Sequence, residues 1–435
     1  MNALTARWAH AATGGTAFSA FGVWPLLAFL ADGASGTTRA ELSAALGLPA
    51  DQAAGAAREL LAAAEAADGL DAALGLWTRR TLQLREEWRA AVPAPSLGVL
   101  TGNPDADRET LDAWAAHRTG GLVERMPVAL TGDAELVLAS AFSLRTEWQR
   151  PFEEIRLRPD AGPWRGRSLR GLHRRTVRTD RAGVADTPAG PVTRLTVPGD
   201  NGIDVHLLLG AEHLAPGQVL EAGVALLGRP HLLTSGAALP LGPAGPGLSV
   251  EEVPCPTPQP PALDVTTVAY EVRADHDLLA LERLFGLAAA RDARRGHFPG
   301  ISGAPLAVGA AGQSVVARFG ALGFRAGAVT AVAARAGSAP PVPRCTSTVV
   351  RAVLDRPFGF LAVHRQTRLV LLAGWVADPA PATEPGGFGA ATQPGGFGAA
   401  TQPGGFGAAT QPGGFGAATQ PGGFGAGAWP AAGAG

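Results

Sequence analysis

The run Gly327-Ala328-Val329-Thr330-Ala331-Val332-Ala333-Ala334 constrains this chain more than any other stretch. It has no charge and only small or β-branched side chains, which suits a strand packed on both faces. A Pro-rich segment, Arg335 to Thr346, follows it, and its Val342-Pro343-Arg344-Cys345 suits a trypsin-like protease. A latent strand beside a cleavable segment is a strand available for addition to a sheet. Any fold for this chain must offer that sheet.

The chain has 435 residues, 46% hydrophobic and 17% charged, a globular composition. Its net charge of −1 gives no overall field for a polyanionic partner, and nucleic acid is not expected to be one. All 36 basic residues are arginine. The two cysteines, Cys255 and Cys345, imply neither a disulfide framework nor metal spacing and are read as free thiols. Met1 to Trp8 lacks the basic flank and apolar core of a secretion signal, and the apolar run Phe21 to Ala31 is too short to span a bilayer. The expected location is cytoplasmic, with an extracellular one as the alternative and no membrane partner.

Residues 2 to about 130 read as mainly helical. Thr38 and Glu41 form a capping box for a helix over Arg39–Leu48, and Ala53–Ala67 is a second helix. Residues 105 to 126 return to helix, ending near Thr119-Gly120-Gly121, with a short strand at Leu74–Trp77 between. From Ala134 the pattern changes. Glu135 to Phe142 predicts a strand buried on both faces. Val192–Val197, Ile203–Leu209, His231–Leu239, Leu263–Val272 and Val315–Phe319 are further strands, with a helix over Leu278–Leu287. Helices first and strands afterwards predict an α+β chain in one large domain. The end differs in kind: Pro-Gly-Gly-Phe-Gly-Ala-Ala-Thr-Gln recurs with Phe388, Phe397, Phe406, Phe415 and Phe424 at a spacing of nine. One large apolar side chain per unit cannot offset backbone ordering, so 380–435 is read as a disordered tail to a domain over 1–379.

No His-Glu-x-x-His, metal-spaced Cys/His set, Gly-x-Ser-x-Gly elbow or nucleotide-binding glycine loop occurs, so the chain is read as neither enzyme nor metalloprotein, with no cofactor. A basic run, Arg165, Arg167, Arg170, His173, Arg174, Arg175, Arg178 and Arg181, has Asp180 as its acid. It reads either as a polyanion patch, centred on Arg165, Arg167, Arg170, Arg174, Arg175 and Arg178, or as a solvated surface segment.

Three segments together resemble the serpin family. Phe18-Ser19 through Gly33-Ala34-Ser35-Gly36-Thr37-Thr38 is similar to the family's first buried helix and the turn after it. Ala139-Ser140-Ala141-Phe142 with Trp148 and Pro151-Phe152 resembles a central strand and its aromatic sequel. Arg356-Pro357-Phe358-Gly359-Phe360 through Gly374-Trp375-Val376-Ala377-Asp378-Pro379 resembles the closing hairpin. Trp114, Thr119-Gly120-Gly121 and Phe285-Gly286-Leu287 fit between, so the likeness runs in order over roughly residues 2–379, as a bacterial-type member. The resemblance implies a large central β-sheet, two smaller sheets, about nine helices and an exposed reactive loop at about 327–348. It further implies a monomeric covalent suicide inhibitor whose partner is a serine protease. The protease attacks the loop and is trapped as an acyl-enzyme when the cut loop enters the sheet. The alternative is a non-inhibitory serpin-like binding protein whose loop is only a substrate.

If Gly327 matches the hinge glycine, Ala328, Thr330, Val332 and Ala334 point into the core and the first charge, Arg335, points out, so insertion meets no buried charge. Family spacing counted from Gly327 puts the cut at Pro341, and counted back from Pro357 near Thr346, because this loop is about five residues longer than usual. Chemistry favours Arg344-Cys345, where a guanidinium can satisfy an acidic specificity pocket, over Ala339 to Val342. Departures from the family pattern stand out. Gly22, Ser140 and Ala317 occupy places where the family has serine, asparagine and histidine beneath the sheet, so this buried polar cluster reads as thinned. Phe324-Arg325-Ala326 replaces an acidic stretch ahead of the hinge, and Glu271 is the acid that could pair with Arg325 in a reversed ion pair.

Overall fold

Strands dominate the second half of the chain, several of them buried almost continuously, and with the earlier strands they assemble into three sheets. A computed structural model describes residues 1–65, 68–324 and 344–382. All of these lie in one compact unit, Met1–Glu384. In chain order the elements are α1 (Asn2–Ala9), β1 (Thr16–Phe18), α2 (Ala20–Gly33), α3 (Gly36–Leu46), α4 (Ala50–Glu65), β2 (Leu70–Arg79), α5 (Glu86–Ala91), β3 (Leu97–Leu100), α6 (Pro104–Arg118) and β4 (Leu136–Leu144). Then come β5 (Glu153–Leu157), β6 (Leu169–Thr176), β7 (Ala182–Thr187), β8 (Gly190–Pro198), β9 (Ile203–Gly210), α7 (Pro216–Gly228), β10 (Thr234–Ser235), β11 (Gly242–Gly245) and β12 (Leu248–Cys255). The chain closes with β13 (Ala262–Val268), β14 (Tyr270–Asp277), α8 (Glu282–Phe285), β15 (Val308–Phe319), β16 (Cys345–Val353), β17 (Phe358–His364) and β18 (Leu369–Val376).

The large central sheet has the order β14-β15-β4-β2-β3 and carries the longest strands. A second sheet runs β1-β18-β17-β9-β8-β7-β10, and a third β11-β12-β16-β13-β6-β5. All nine residues of β4 are buried, because both of its faces are covered. Val137, Ala139 and Ala141 pack with Leu111 and Ala115 of α6 on one side. Leu136 and Leu138 join the core around α2, and Phe142 and Leu144 meet the residues of β9, β17 and β18. Helix α2 is buried almost throughout, as its Phe21 to Ala31 run requires.

Four expected elements differ in the structure. Helix α3 starts at Gly36 after Ser35, two residues before the expected Thr38 cap. Thr38 is instead buried and shares a 2.8 Å hydrogen bond with His297, while Glu41 accepts from the Ala289 N–H at 2.9 Å. Both side chains tie α3 to a distant loop, so tertiary partners outcompete the local cap. His231–Leu239 is two 3₁₀ turns around a two-residue strand, with Leu232 exposed. Leu263–Val272 is two strands of different sheets, with the chain crossing at Ala269. The helix over Leu278–Leu287 is a 3₁₀ turn and a single α-turn stopped at Gly286, φ 68°. The expected tail, 380–435, lies outside the described residues beyond Ala382.

Candidate functional site

The central sheet contains one internal parallel seam, between β4 and β15. Its ladder runs from Leu136↔Val308 to Ser143↔Val316 and then stops, although β15 continues to Phe319 against β14. Above this point the chain closes again: Phe324 N–H donates to Thr146 O at 2.7 Å, and Trp148 N–H to Leu322 O at 2.9 Å. Between ladder and clamp lies a cleft of about 230 Å³, lined by Thr119, Gly120, Leu144, Val316, Arg318 and Phe324 among others. An aromatic cluster packs around the end of β15. Phe319 stacks on Tyr270 at 5.2 Å and tilts against Trp148 at 4.7 Å, and Trp148 Nε1 donates to Gly320 O at 2.8 Å.

The seam is latched from below by a residue that sequence reasoning missed. Gln313 of β15 is fully buried; its Oε1 accepts from the Ser19 N–H at 2.8 Å, and its Nε2 donates to Ser19 O at 2.9 Å and Ser140 Oγ at 3.2 Å. Ser19 Oγ donates to Leu371 O at 2.6 Å and caps α2 through the Gly22 N–H at 3.1 Å. The buried polar cluster is therefore present, not thinned. Its strand-β15 member is Gln313, four residues before Ala317, which packs in an apolar cluster. Gly22 belongs to the same solution: a Cβ there would stand 2.6 Å from Ser140 Oγ and 2.9 Å from Gln313 Nε2. The glycine leaves room for the longer glutamine. A glutamine at an inward position of a buried strand is the signal that could have revealed it.

Of the expected hinge, Gly327, Ala328, Thr330, Val332 and Ala334 lie outside the described residues, as does Arg325. Glu271, its expected partner, meets Arg318 at 2.8 Å and Arg273 at 2.7 Å, and these cations hold its carboxyl below the usual range against a burial effect that raises it. The expected bait, Arg344-Cys345, sits where the described chain resumes. Arg344 is exposed and its N–H donates to Cys255 O at 3.0 Å; Cys345 opens β16 directly opposite Cys255, with the two sulfurs 3.1 Å apart. Both thiols are free, and the hydrogen bond shared with Cys255 pushes the Cys345 thiol upward, with desolvation adding to it.

The basic run divides across β6 and the adjoining turns. Arg170 pairs with Glu154, Arg167 with Asp378 at 2.7 Å, and Arg178 with Asp180 at 2.8 Å. Arg174 faces the interior, 5% exposed, with its guanidinium 4.3 Å from the Phe152 ring and Nη1 donating to Arg150 O at 2.8 Å. Burial, then Arg181 and Arg150, pushes its pKa down to about 10. Arg165 and Arg175 are exposed. Among the described residues no His/Cys/Asp/Glu group is arranged to hold a metal ion, and no helix is long and apolar enough to cross a membrane.

Known proteins share both sequence and architecture with this chain. The family model described as "Serpin (serine protease inhibitor)" matches residues 2–161. Serpin-Z6A of Oryza sativa subsp. japonica is 34% identical over 151 residues, which is 32% of this chain and 38% of that relative. The matched stretch thus spans under two fifths of the curated relatives' length. Human thyroxine-binding globulin, solved with thyroxine, superposes with a TM-score of 0.66 at 18% identity, covering 87% of this chain and 96% of that one. Native protease nexin-1, solved with heparin, gives 0.62 at 17% identity, covering 84% and 93%. The sequence is thus similar to the serpin family over residues 2–161, and the described residues adopt the three-sheet serpin fold.

Proposed function

We propose that the protein is a covalent suicide inhibitor of a trypsin-like serine protease. In this reading the protease attacks the Arg344–Cys345 bond, and the segment from Gly327 enters the central sheet between β4 and β15. One observation carries it: among the described residues the internal parallel seam is unpaired above Ser143↔Val316, and Phe324, at that open end, lies three positions before Gly327 in the sequence. A strand returning from the end of β15 would run antiparallel to both neighbours. One evenly slanted parallel ladder would be exchanged for two antiparallel ones, which pair slightly better per residue. Gly327 to Arg335 is nine residues, as long as β4. The inward set Ala328, Thr330, Val332 and Ala334 would meet the face carrying Ser140 and Phe142 without a charge to desolvate.

Insertion has a defined opposition. Parting β4 from β15 breaks the Gln313–Ser140 hydrogen bond while leaving Gln313 on Ser19. The Arg344 N–H, one peptide ahead of the bait bond, also donates to Cys255 O, so the protease must first lift Arg344 from β12. Incubation with trypsin tests the reading. A band resistant to denaturing electrophoresis, containing both proteins, is expected, with the released fragment beginning at Cys345. Cleavage with no such band would assign the loop as a plain substrate and favour a non-inhibitory binding protein.

A further inference from the structure

We infer that Cys255 and Cys345 form a redox-controlled disulfide that pins the start of β16 to β12. The two residues are directly opposed in an antiparallel ladder, a placement that brings Cα atoms within the span a disulfide bridges. Their sulfurs are already 3.1 Å apart, so a modest rotation brings them to bonding distance. Exposure assigns the roles. Cys345 is half-exposed and can meet an oxidant, whereas Cys255 is buried beneath it and can resolve.

The bridge falls where β16 is held least. β13 pairs with β16 only from Val349 onward, so Cys345 to Thr348 have β12 as their single ladder partner among the described strands. Within that ladder Pro254, opposite Thr346, has no N–H to donate. Across the other side the Ser347 hydroxyl reaches the carbonyls of Gln259 and Pro260 at 3.3 Å each. A covalent tie at Cys345 replaces weak anchoring at this end and holds the neighbouring Arg344 amide against Cys255 O.

The chemistry balances with a low-molecular-weight disulfide such as glutathione disulfide as oxidant. The Cys345 thiolate attacks one oxidant sulfur, breaking its S–S bond and releasing one thiolate. The Cys255 thiolate then attacks Cys345 Sγ in the mixed disulfide and expels the second. Two protein thiols are oxidised, one external disulfide is reduced, and the two protons pass to the released thiols.

The consequence for proteolysis rests on Arg344 being the bait; formation of the bridge does not. The full chain is treated with glutathione disulfide or with dithiothreitol at mildly alkaline pH. Free thiols, counted after denaturation, are expected to fall from two to none with loss of two hydrogen masses, and peptide mapping should join the Cys255 and Cys345 peptides. Cys255→Ser should instead keep a glutathione adduct on Cys345. Two persistent free thiols, or a lasting adduct on the unsubstituted chain, would overturn the inference. Trypsin should then cut after Arg344 about tenfold more slowly in the oxidised chain, because the cut needs local opening of a pinned end. The pieces should stay joined until reduced. Equal rates in both forms would refute the pinning. A chain that oxidises but is cut after Arg344 in neither form would refute the bait and leave the bridge standing.

Discussion

Replacing Gln313 with alanine tests the latch beneath the central seam. The substitution orphans the buried Ser19 N–H, which costs about 1–3 kcal/mol, and removes the Ser140 hydroxyl's partner, which costs about 1 kcal/mol more. Ser19 O keeps a second donor, the Gly22 N–H at 3.2 Å, and adds little. The vacated volume adds about 1 kcal/mol, for a total of about 3–5 kcal/mol. At an unfolding entropy near 2 cal/mol/K per residue over about 380 residues, the melting temperature should fall by roughly 4–6 °C. Circular dichroism melts of both chains measure this directly. The Gln313–Ser140 bond also spans the seam, so Gln313→Ala should form the trypsin complex faster despite its lower stability. Adding Ser140→Ala should then cost less than it does in the unsubstituted chain, since the partner is already gone. A melting temperature within 1 °C of the parent, or additive losses in the double substitution, would refute the reasoning.

Three further outcomes follow from the same structure. Ala328→Arg would put a guanidinium on the core-facing side of the inserting strand, at a cost of several kcal/mol; trypsin should still cut the chain but the resistant complex should disappear on gels. Arg344→Ala should abolish the fragment that begins at Cys345, as read by amino-terminal sequencing, whereas its persistence would place recognition elsewhere. His206 is buried beside Arg194, and burial first, then that cation, lowers its pKa to about 3. The unfolded chain therefore takes up a proton near pH 6.5 that the folded chain refuses. Stability present above that pH is lost as pH falls toward about 3, at about 1.4 kcal/mol per pH unit. His206→Gln should flatten this slope between pH 6 and 4 in denaturant titrations, and an unchanged slope would remove His206 from the acid response.

Elements set by local pattern were legible in the sequence. The β4 strand was visible as an apolar run, and α6 ended at Gly120 and Gly121, whose φ values of 59° and 81° suit glycine. Motif order carried the family. What was not legible depended on partners distant in sequence. Thr38 looks like a cap until His297 is beside it. The run from Arg165 to Arg181 looks like one cationic surface until strand alternation turns Arg174 inward and places Glu154 and Asp378 beside its neighbours. Gln313 carried no expectation because family spacing pointed to Ala317, and only the β4/β15 register puts Gln313 opposite Ser140. Cys255 and Cys345, ninety residues apart, became a pair through the antiparallel ladder of β12 and β16.

The central claim is that proteolytic nicking lets the segment beginning at Gly327 become a strand between β4 and β15. The thermal melt of the nicked chain tests it most directly, with the cut after Arg344 verified by sequencing. The account predicts that nicking raises the melting temperature, because two antiparallel ladders replace the half-open seam. A nicked chain that melts at or below the temperature of the intact one would contradict it.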